Sequence, residues 1–101
     1  MSTPRSQAAE VFGARVRQAR LALGASQEQI AALADIHVTN YGRIERGEAN
    51  SELNTIVRLA TALDTDPAEL LAGLYGSGML PARERTFSMA AFLAAKAAER
   101  R

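Results

Sequence analysis

The sequence predicts an all-α protein, and three observations support this fold class. Apolar residues recur every three or four positions in successive segments, the spacing that places them on one face of a helix. Serine, aspartate or proline stands at the start of several segments and glycine follows several of them, as at the termini of natural helices. The 101 residues leave room for one compact domain and an appended element, but not for two cores.

The first helix is predicted to run to Leu23 and to end at Gly24, which favours the left-handed conformation after a helix. Two N-caps are open to it: Thr3, with Pro4 in the first turn, or Ser6. Its apolar stripe consists of Phe12, Val16, Ala19 and Leu23.

A tight turn is predicted between the second and third helices. Ser26 and Gln29 have the spacing of a capping box, so the second helix should begin there and run to Ala34, with Ile30, Ala31 and Leu33 in its apolar stripe. Asp35 tolerates left-handed geometry, and Ile36 follows it as an apolar anchor. This stretch is therefore a helix-turn-helix candidate.

The third helix is predicted from Val38 to Arg46, with Gly47 after its end. At about 100° per residue, Tyr41 and Ile44 fall on one side of it. The opposite arc carries Val38, Thr39, Gly42, Arg43 and Arg46. One face of this helix should therefore pack on the protein, and the other should be free to contact a ligand.

Two further helices complete a predicted domain over residues 1–75. Asn50 or Ser51 can cap the fourth helix, and Asp66 followed by Pro67 is typical of the start of the fifth. The apolar residues of the fourth helix are Leu53, Ile56, Leu59, Ala60 and Leu63. Those of the fifth helix are Leu70, Leu71 and Leu74.

Residues 76–80 are predicted to form a flexible linker, because they begin with Gly-Ser-Gly. Residues 81–101 should form a C-terminal helical extension that starts at Pro81 and is rich in alanine. Phe87, Ala91, Ala94 and Ala98 share one stripe of it. Three alternatives are open for this extension: it packs on its own domain, it associates with a second chain, or it is a frayed tail. The first two would cover Phe92 and Leu93, which also need a surface.

Composition excludes several classes of function. The chain has no cysteine and one histidine, so disulfides, thiolate metal sites, metal ions and cofactors are not expected. Without an apolar run long enough for a signal peptide or a membrane span, the protein is expected to be cytoplasmic, with no membrane partner. An enzyme is not expected either: capping explains Asp66, which with Asp64 forms one of the few close acidic pairs.

From about Phe12 to Leu74, the chain resembles the Cro/C1-type (XRE) helix-turn-helix repressors. The residues that carry this resemblance are Arg20, Gly24, Ser26, Gln27, Ala31, Ile36, Ile44, Glu45 and Gly47. Restriction-modification controller proteins are the nearest look-alikes for the stretch IHVTNYGRIERGEAN. The resemblance implies a five-helix, lambda-repressor-like domain that binds double-stranded DNA. His37 departs from the family, in which serine or threonine is the usual cap.

The third helix is expected to read bases in the major groove. Arg43 can pair with guanine through two hydrogen bonds, which discriminates by about 1–3 kcal/mol. Val38 and Thr39 can contact thymine methyl groups, and Asn40 can bond adenine or phosphate; the resemblance implies base contact for Val38, Thr39 and Arg43. Gly42 costs about 0.5–1 kcal/mol relative to alanine, so it indicates either close approach to DNA or tolerance on an exposed face.

Three residues are expected to contact phosphate. Gln27 does so by resemblance, because the matching glutamine of the similar repressors contacts phosphate. Arg46 lies just before the end of the third helix, and Asn50 is a weaker candidate in the following loop. The resemblance also implies an ion pair between Arg20 and Glu45, which would tie the reading helix to the rest of the domain.

These predictions describe a sequence-specific transcriptional regulator. It would bind an inverted repeat as a homodimer, with half-sites about one helical turn apart. The alternative is a protein-interaction module of the same fold, for example an antitoxin that binds a partner protein through the C-terminal helix. A net charge of only +1 favours this alternative slightly.

Overall fold

The computed structural model describes residues 3–99, and over this range the regular structure is helical. The elements are α1 (Gln7–Ala22), α2 (Gln27–Leu33), α3 (Val38–Glu45), α4 (Leu53–Ala62), α5 (Pro67–Leu71), a 3-10 turn (Ala82–Glu84) and α6 (Met89–Glu99). The prediction of an all-α, five-helix domain with a C-terminal helix is confirmed.

One hydrophobic core joins the first five helices. α3 packs against α1 and α2, and α5 packs against α1 and α4. The buried apolar residues are Phe12, Val16, Ile30, Ala31, Ala34, Tyr41, Ile44, Leu59, Ala60, Leu63 and Leu70. Leu23, Leu33, Leu53 and Leu71 were expected in apolar stripes but are exposed. Each of them lies at a terminus of its helix or just after it.

The starts of α2 and α5 and the turn before α3 agree with the prediction. Ser26 and Gln29 form both hydrogen bonds of the capping box at the start of α2. The Asp66 carboxylate accepts a bond from the Ala68 amide at 2.8 Å, with Pro67 as the first residue of α5. Asp35 has a φ of +56°, so the turn before α3 contains the left-handed residue that the sequence indicated.

The start of α1 selects one of the two predicted caps, and the start of α4 differs from the prediction. Ser6 caps α1 by accepting a bond from the Ala9 amide at 3.0 Å, so Thr3 is not the cap. Glu52 is the N-cap residue of α4 and makes no side-chain capping bond. The prediction of Asn50 or Ser51 as this cap is therefore wrong: the loop after α3 continues beyond both residues before the helix begins.

The segment before α1 and the first turn of α1 are hydrogen-bonded to two distant parts of the chain. The Arg5 amide donates to the carbonyl oxygen of Gly47, just after α3, at 2.7 Å. The Ala8 amide donates to the carbonyl oxygen of Met79 at 3.0 Å. These bonds place the start of the described chain beside the end of α3.

α6 begins at Met89 rather than at Pro81, and all its described residues are exposed. The Phe87 side chain just before it is 85% exposed. α6 therefore does not pack on the five-helix domain, which was one of the three alternatives for the extension. Within residues 3–99, no helix is both long and apolar enough to cross a membrane. Over the same range, no three carboxylate or imidazole side chains lie close enough together to hold a metal ion.

Candidate nucleic-acid interface

The two sides of α3 have different surroundings. Tyr41 and Ile44 are buried in the core, as the helical period predicted. The exposed side carries the four residues predicted to contact bases, Val38, Thr39, Asn40 and Arg43. His37 caps the helix, because its Nδ1 accepts a hydrogen bond from the Thr39 amide at 3.2 Å. α3 therefore presents a polar and basic outer side that is anchored by an apolar inner side.

The backbone of α1 touches the backbone of α3 at two glycines. A Cβ atom at Gly13 would lie 2.7 Å from the carbonyl oxygen of Glu45 and closer still to that of Ile44. Gly47 has a φ of +77°, and a Cβ there would lie 2.8 Å from the Cα of Glu10. The absence of side chains at both glycines therefore sets the distance between α1 and the end of α3.

Arg20 and Glu45 form a buried ion pair between α1 and α3. The Arg20 Nε donates to Glu45 Oε2 at 2.7 Å, and Nη2 donates to Oε1 at 3.0 Å. Their side chains are only 11% and 2% exposed. The remaining Nη1 of Arg20 donates to the Ala25 carbonyl oxygen at 3.0 Å, which also ties the pair to the loop before α2.

Gln27 connects α2 to this ion pair. Its Nε2 donates to Glu45 Oε1 at 2.9 Å, so the glutamine that was expected at phosphate also has a partner within the protein. An amide nitrogen carries two N–H groups, and only one of them is used here. Gln27 is half-buried, so the second N–H can still reach a ligand.

The balance of charges around Glu45 favours its ionised form. Burial alone would raise the pKa of Glu45, but the hydrogen bonds from Arg20, the nearby Tyr41 hydroxyl and the bond from Gln27 lower it below the ordinary value of 4.5. Burial, and next the Glu45 carboxylate, raise the pKa of the Tyr41 hydroxyl well above its usual value. That hydroxyl has no partner at normal hydrogen-bond geometry among the described residues, although it faces Glu45. Glu45 is therefore ionised at neutral pH and remains paired.

Gly42 is buried, so the prediction that it lies on the exposed arc is wrong. A Cβ at this position would lie 3.1 Å from Arg46 Nη1 and 3.7 Å from Gln27 Oε1. The two polar side chains lie over the glycine and cover it from solvent. The glycine thus makes room for its neighbours on the protein, and tolerance on an open face does not explain it.

The residues predicted to contact phosphate lie in two places. Arg46 and Gln27 are together over Gly42, at the junction of α2 and α3. Asn50 lines an open cleft beside α3, together with Asn40 and Arg43. The sequence did not indicate that Arg46 has an acidic partner, yet its Nε donates to Glu48 Oε2 at 2.7 Å.

Comparison with known proteins defines the class of the chain. A family model described as a helix-turn-helix domain matches residues 11–72, which is more than half of the sequence. The chain therefore belongs to this helix-turn-helix family, and its predicted resemblance to XRE-type regulators is confirmed. It is a helix-turn-helix transcriptional regulator.

The relatives include restriction-modification controllers. The chain is 40% identical over 62 residues to control protein C.SmaI of Serratia marcescens, covering 61% of this chain and 74% of the relative. Control protein C.BamHI of Bacillus amyloliquefaciens is 42% identical over 62 residues, covering 60% of this chain and 76% of the relative. The crystal structure of the restriction-modification controller C.AhdI from Aeromonas hydrophila superposes with a TM-score of 0.60 at 45% identity, covering 61% of this chain and 94% of that chain.

Proposed function

We propose that this regulator binds an inverted-repeat operator as a homodimer, with α3 of each subunit in the major groove of double-stranded DNA. The observation that carries the proposal is the exposed outer side of α3, whose inner side is fixed by the core and by the Arg20–Glu45 pair. A two-fold symmetric dimer matches a palindromic site, with half-sites about one helical turn apart.

Base recognition is assigned to the four exposed residues of α3. Arg43 bonds guanine through its guanidinium fork, and Val38 and Thr39 pack on thymine methyl groups. Asn40 bonds adenine or a neighbouring phosphate from the edge of the same side. These side chains are exposed, and Arg43 has no ion-pair partner among residues 3–99, which leaves it free to bond a base.

Backbone contacts are assigned to Gln27, Arg46 and Asn50. The unused N–H of the Gln27 amide and the exposed edge of the Arg46 guanidinium can each donate to a phosphate oxygen. Asn50 adds a donor from the loop after α3, beside Arg43. Such contacts set the register of α3 in the groove but do not read sequence.

The dimer is assigned to the C-terminal extension, residues 81–101, joined to the domain at 1–75 by the linker at 76–80. α6 has 11 residues and exposes Met89, Phe92 and Leu93. An isolated helix shorter than about 12–15 residues is only marginally stable in water, so α6 needs a surface to pack on. Truncation after Gly78 should convert the dimer to a monomer in light scattering; an unchanged dimer would rule out this role for α6.

A random-sequence DNA selection with the purified protein tests the function as a whole. It should return a palindromic consensus. Arg43→Ala should then relax one base position per half-site, by about 1–3 kcal/mol of discrimination. Gln27→Ala should weaken binding to all sequences alike, because its contact is to the backbone. The contrast between the two variants separates base reading from positioning.

A partner protein is the second candidate, favoured by the exposed apolar side chains of α6. In this case the same fold would act as an interaction module, as in an antitoxin that holds its target through the C-terminal helix. A selection that enriches no DNA site, together with a protein that is a monomer both before and after truncation following Gly78, would favour this candidate over the operator-binding dimer.

A further inference from the structure

Arg46 is held by an acidic neighbour on the surface that is proposed to meet DNA. Its Nε donates to Glu48 Oε2 at 2.7 Å. The Arg46 side chain is 52% exposed, whereas that of Glu48 is only 18% exposed. The pairing raises the pKa of Arg46 above its usual value, so the arginine keeps its charge. The accessible guanidinium of Arg46 is therefore paired with a Glu48 carboxylate that is largely shielded from solvent.

We propose that Glu48 is a positioning residue that limits the affinity of this protein for DNA by holding and neutralising Arg46. The inference rests on the proposed DNA-binding function and concerns the affinity of that same surface for DNA.

The absence of a side chain at Gly42 leaves space for the guanidinium of Arg46. Arg46 Nη1 lies 3.1 Å from the point where a Cβ of residue 42 would stand, so the guanidinium is folded back over α3 towards Gln27. Gly42 has no positive φ, so its helical backbone would accept an alanine. The small size of glycine, rather than its flexibility, is what this arrangement uses.

The carboxylate and a DNA phosphate compete for the same positive charge. Phosphate contacts gain affinity by releasing counterions from the duplex, and each neutralised phosphate adds about 0.9 to the steepness of the salt dependence. An arginine already neutralised by Glu48 contributes less of this gain, and the carboxylate also repels an approaching phosphate. Removing the charge of Glu48 should therefore strengthen binding without changing which sequence is preferred.

The test compares Glu48→Gln with Glu52→Gln on two duplexes, the selected palindrome and a scrambled sequence of the same length. Glu52 is the matched control: it lies in the same loop, is exposed, and forms no ion pair among the described residues. Glu48→Gln should tighten binding to both duplexes at least several-fold and steepen the salt dependence by about one unit per subunit. Glu52→Gln should have a clearly smaller effect on both quantities.

A double-variant cycle with Arg46→Gln separates release of the arginine from simple repulsion. If Glu48 acts through Arg46, its substitution should give no several-fold gain once Arg46 is replaced. The same gain in both backgrounds would overturn the inference, because Glu48 would then act only as a repelling charge. Thermal melts of each variant establish that the fold is retained.

The outcomes also distinguish this inference from the proposed function. If the unmodified protein binds the selected duplex but Glu48→Gln gives no gain, the restraint by Glu48 is refuted and the DNA-binding proposal stands. If no variant binds either duplex, both are refuted.

Discussion

On its inner side α3 meets α1 through backbone contacts at Gly13 and Gly47 and through the buried Arg20–Glu45 pair, whereas its outer side carries exposed side chains that contact little of the protein. The size of the residues on the inner side is restricted, because a larger residue at either glycine would push the helices apart. Their charge is restricted as well, because the buried carboxylate needs its cationic partner. The outer side is free of both constraints. A single eight-residue helix thus separates the residues that position it from the residues that can vary with the target.

Substitutions on the inner side of α3 should therefore affect mainly folding, and substitutions on its outer side should affect mainly binding. Substitutions of exposed residues away from special features usually change stability by within about 0.5 kcal/mol. Changes on the inner side act on packing or on buried charge, and both mechanisms have larger costs.

Arg20→Met should have the largest effect. It keeps the length of the side chain but leaves the Glu45 carboxylate buried without its cationic partner, which costs about 3–5 kcal/mol. Urea unfolding measures the loss. The matched control is Arg46→Met, which breaks the exposed pair with Glu48 and should shift the unfolding midpoint far less. Equal losses in the two variants would contradict the contrast between the two sides.

Gly13→Ala should come next. The new methyl group would collide with the carbonyl oxygens of Ile44 and Glu45, and neither backbone atom can rotate away. Overpacking of this kind costs about 1–3 kcal/mol, more than the gain of about 0.5–1 kcal/mol from replacing glycine in a helix. Thermal unfolding should show a lower midpoint. A stabilised Gly13→Ala variant would mean that α1 and α3 can separate at little cost.

The dependence of the unfolding free energy on pH tests the pairing of Glu45 on the inner side of α3. Because the pKa of Glu45 is lower in the folded state than its ordinary value of 4.5, its pairing stabilises the fold above that pH. This stability is lost as the pH falls through the lower, folded-state pKa. Below about pH 4.5 the unfolding free energy should therefore fall more steeply for the unmodified protein than for Glu45→Gln. Parallel curves from urea unfolding at each pH would contradict this assignment.

Gly42→Ala should have the smallest effect, and of opposite sign to Gly13→Ala. The new methyl group meets Arg46 Nη1 at 3.1 Å, which is the mobile end of a long side chain and can shift by a few tenths of an ångström. The helix then gains up to about 0.5–1 kcal/mol. A higher melting temperature checks this. A lower one would show that Arg46 and Gln27 are fixed as firmly over Gly42 as the backbone is beside Gly13.

Several features that depend on residues close together in the chain were predictable, although the cap of α4 was not. The capping box of Ser26 and Gln29 and the start of α5 at Pro67 each involve partners within three positions, so the local sequence specifies them. The inner side of α3 followed from helical period, which places Tyr41 and Ile44 together. The fold of the domain was therefore accessible from local signals and from family resemblance.

Contacts between distant residues were not predictable in this way. Gly13 and the Ile44 carbonyl are far apart in sequence, and their contact was not predicted from the sequence. A glycine in the middle of an amphipathic helix is the one local signal of such a close approach. The bond from Gln27 to Glu45 likewise depends on how α2 crosses α3. The Arg20–Glu45 pair came from family resemblance, not from spacing. The assignments to bases and phosphates stay predictions until DNA is bound.

The segment before α1 has a practical consequence for handling the protein. Because the Arg5 amide is bonded to the Gly47 carbonyl oxygen, an affinity tag joined ahead of Thr3 would begin beside the end of α3. If α3 enters DNA as proposed, such a tag should obstruct the duplex or add its own charges beside α3. Titrations on DNA are therefore best made after proteolytic removal of any amino-terminal fusion.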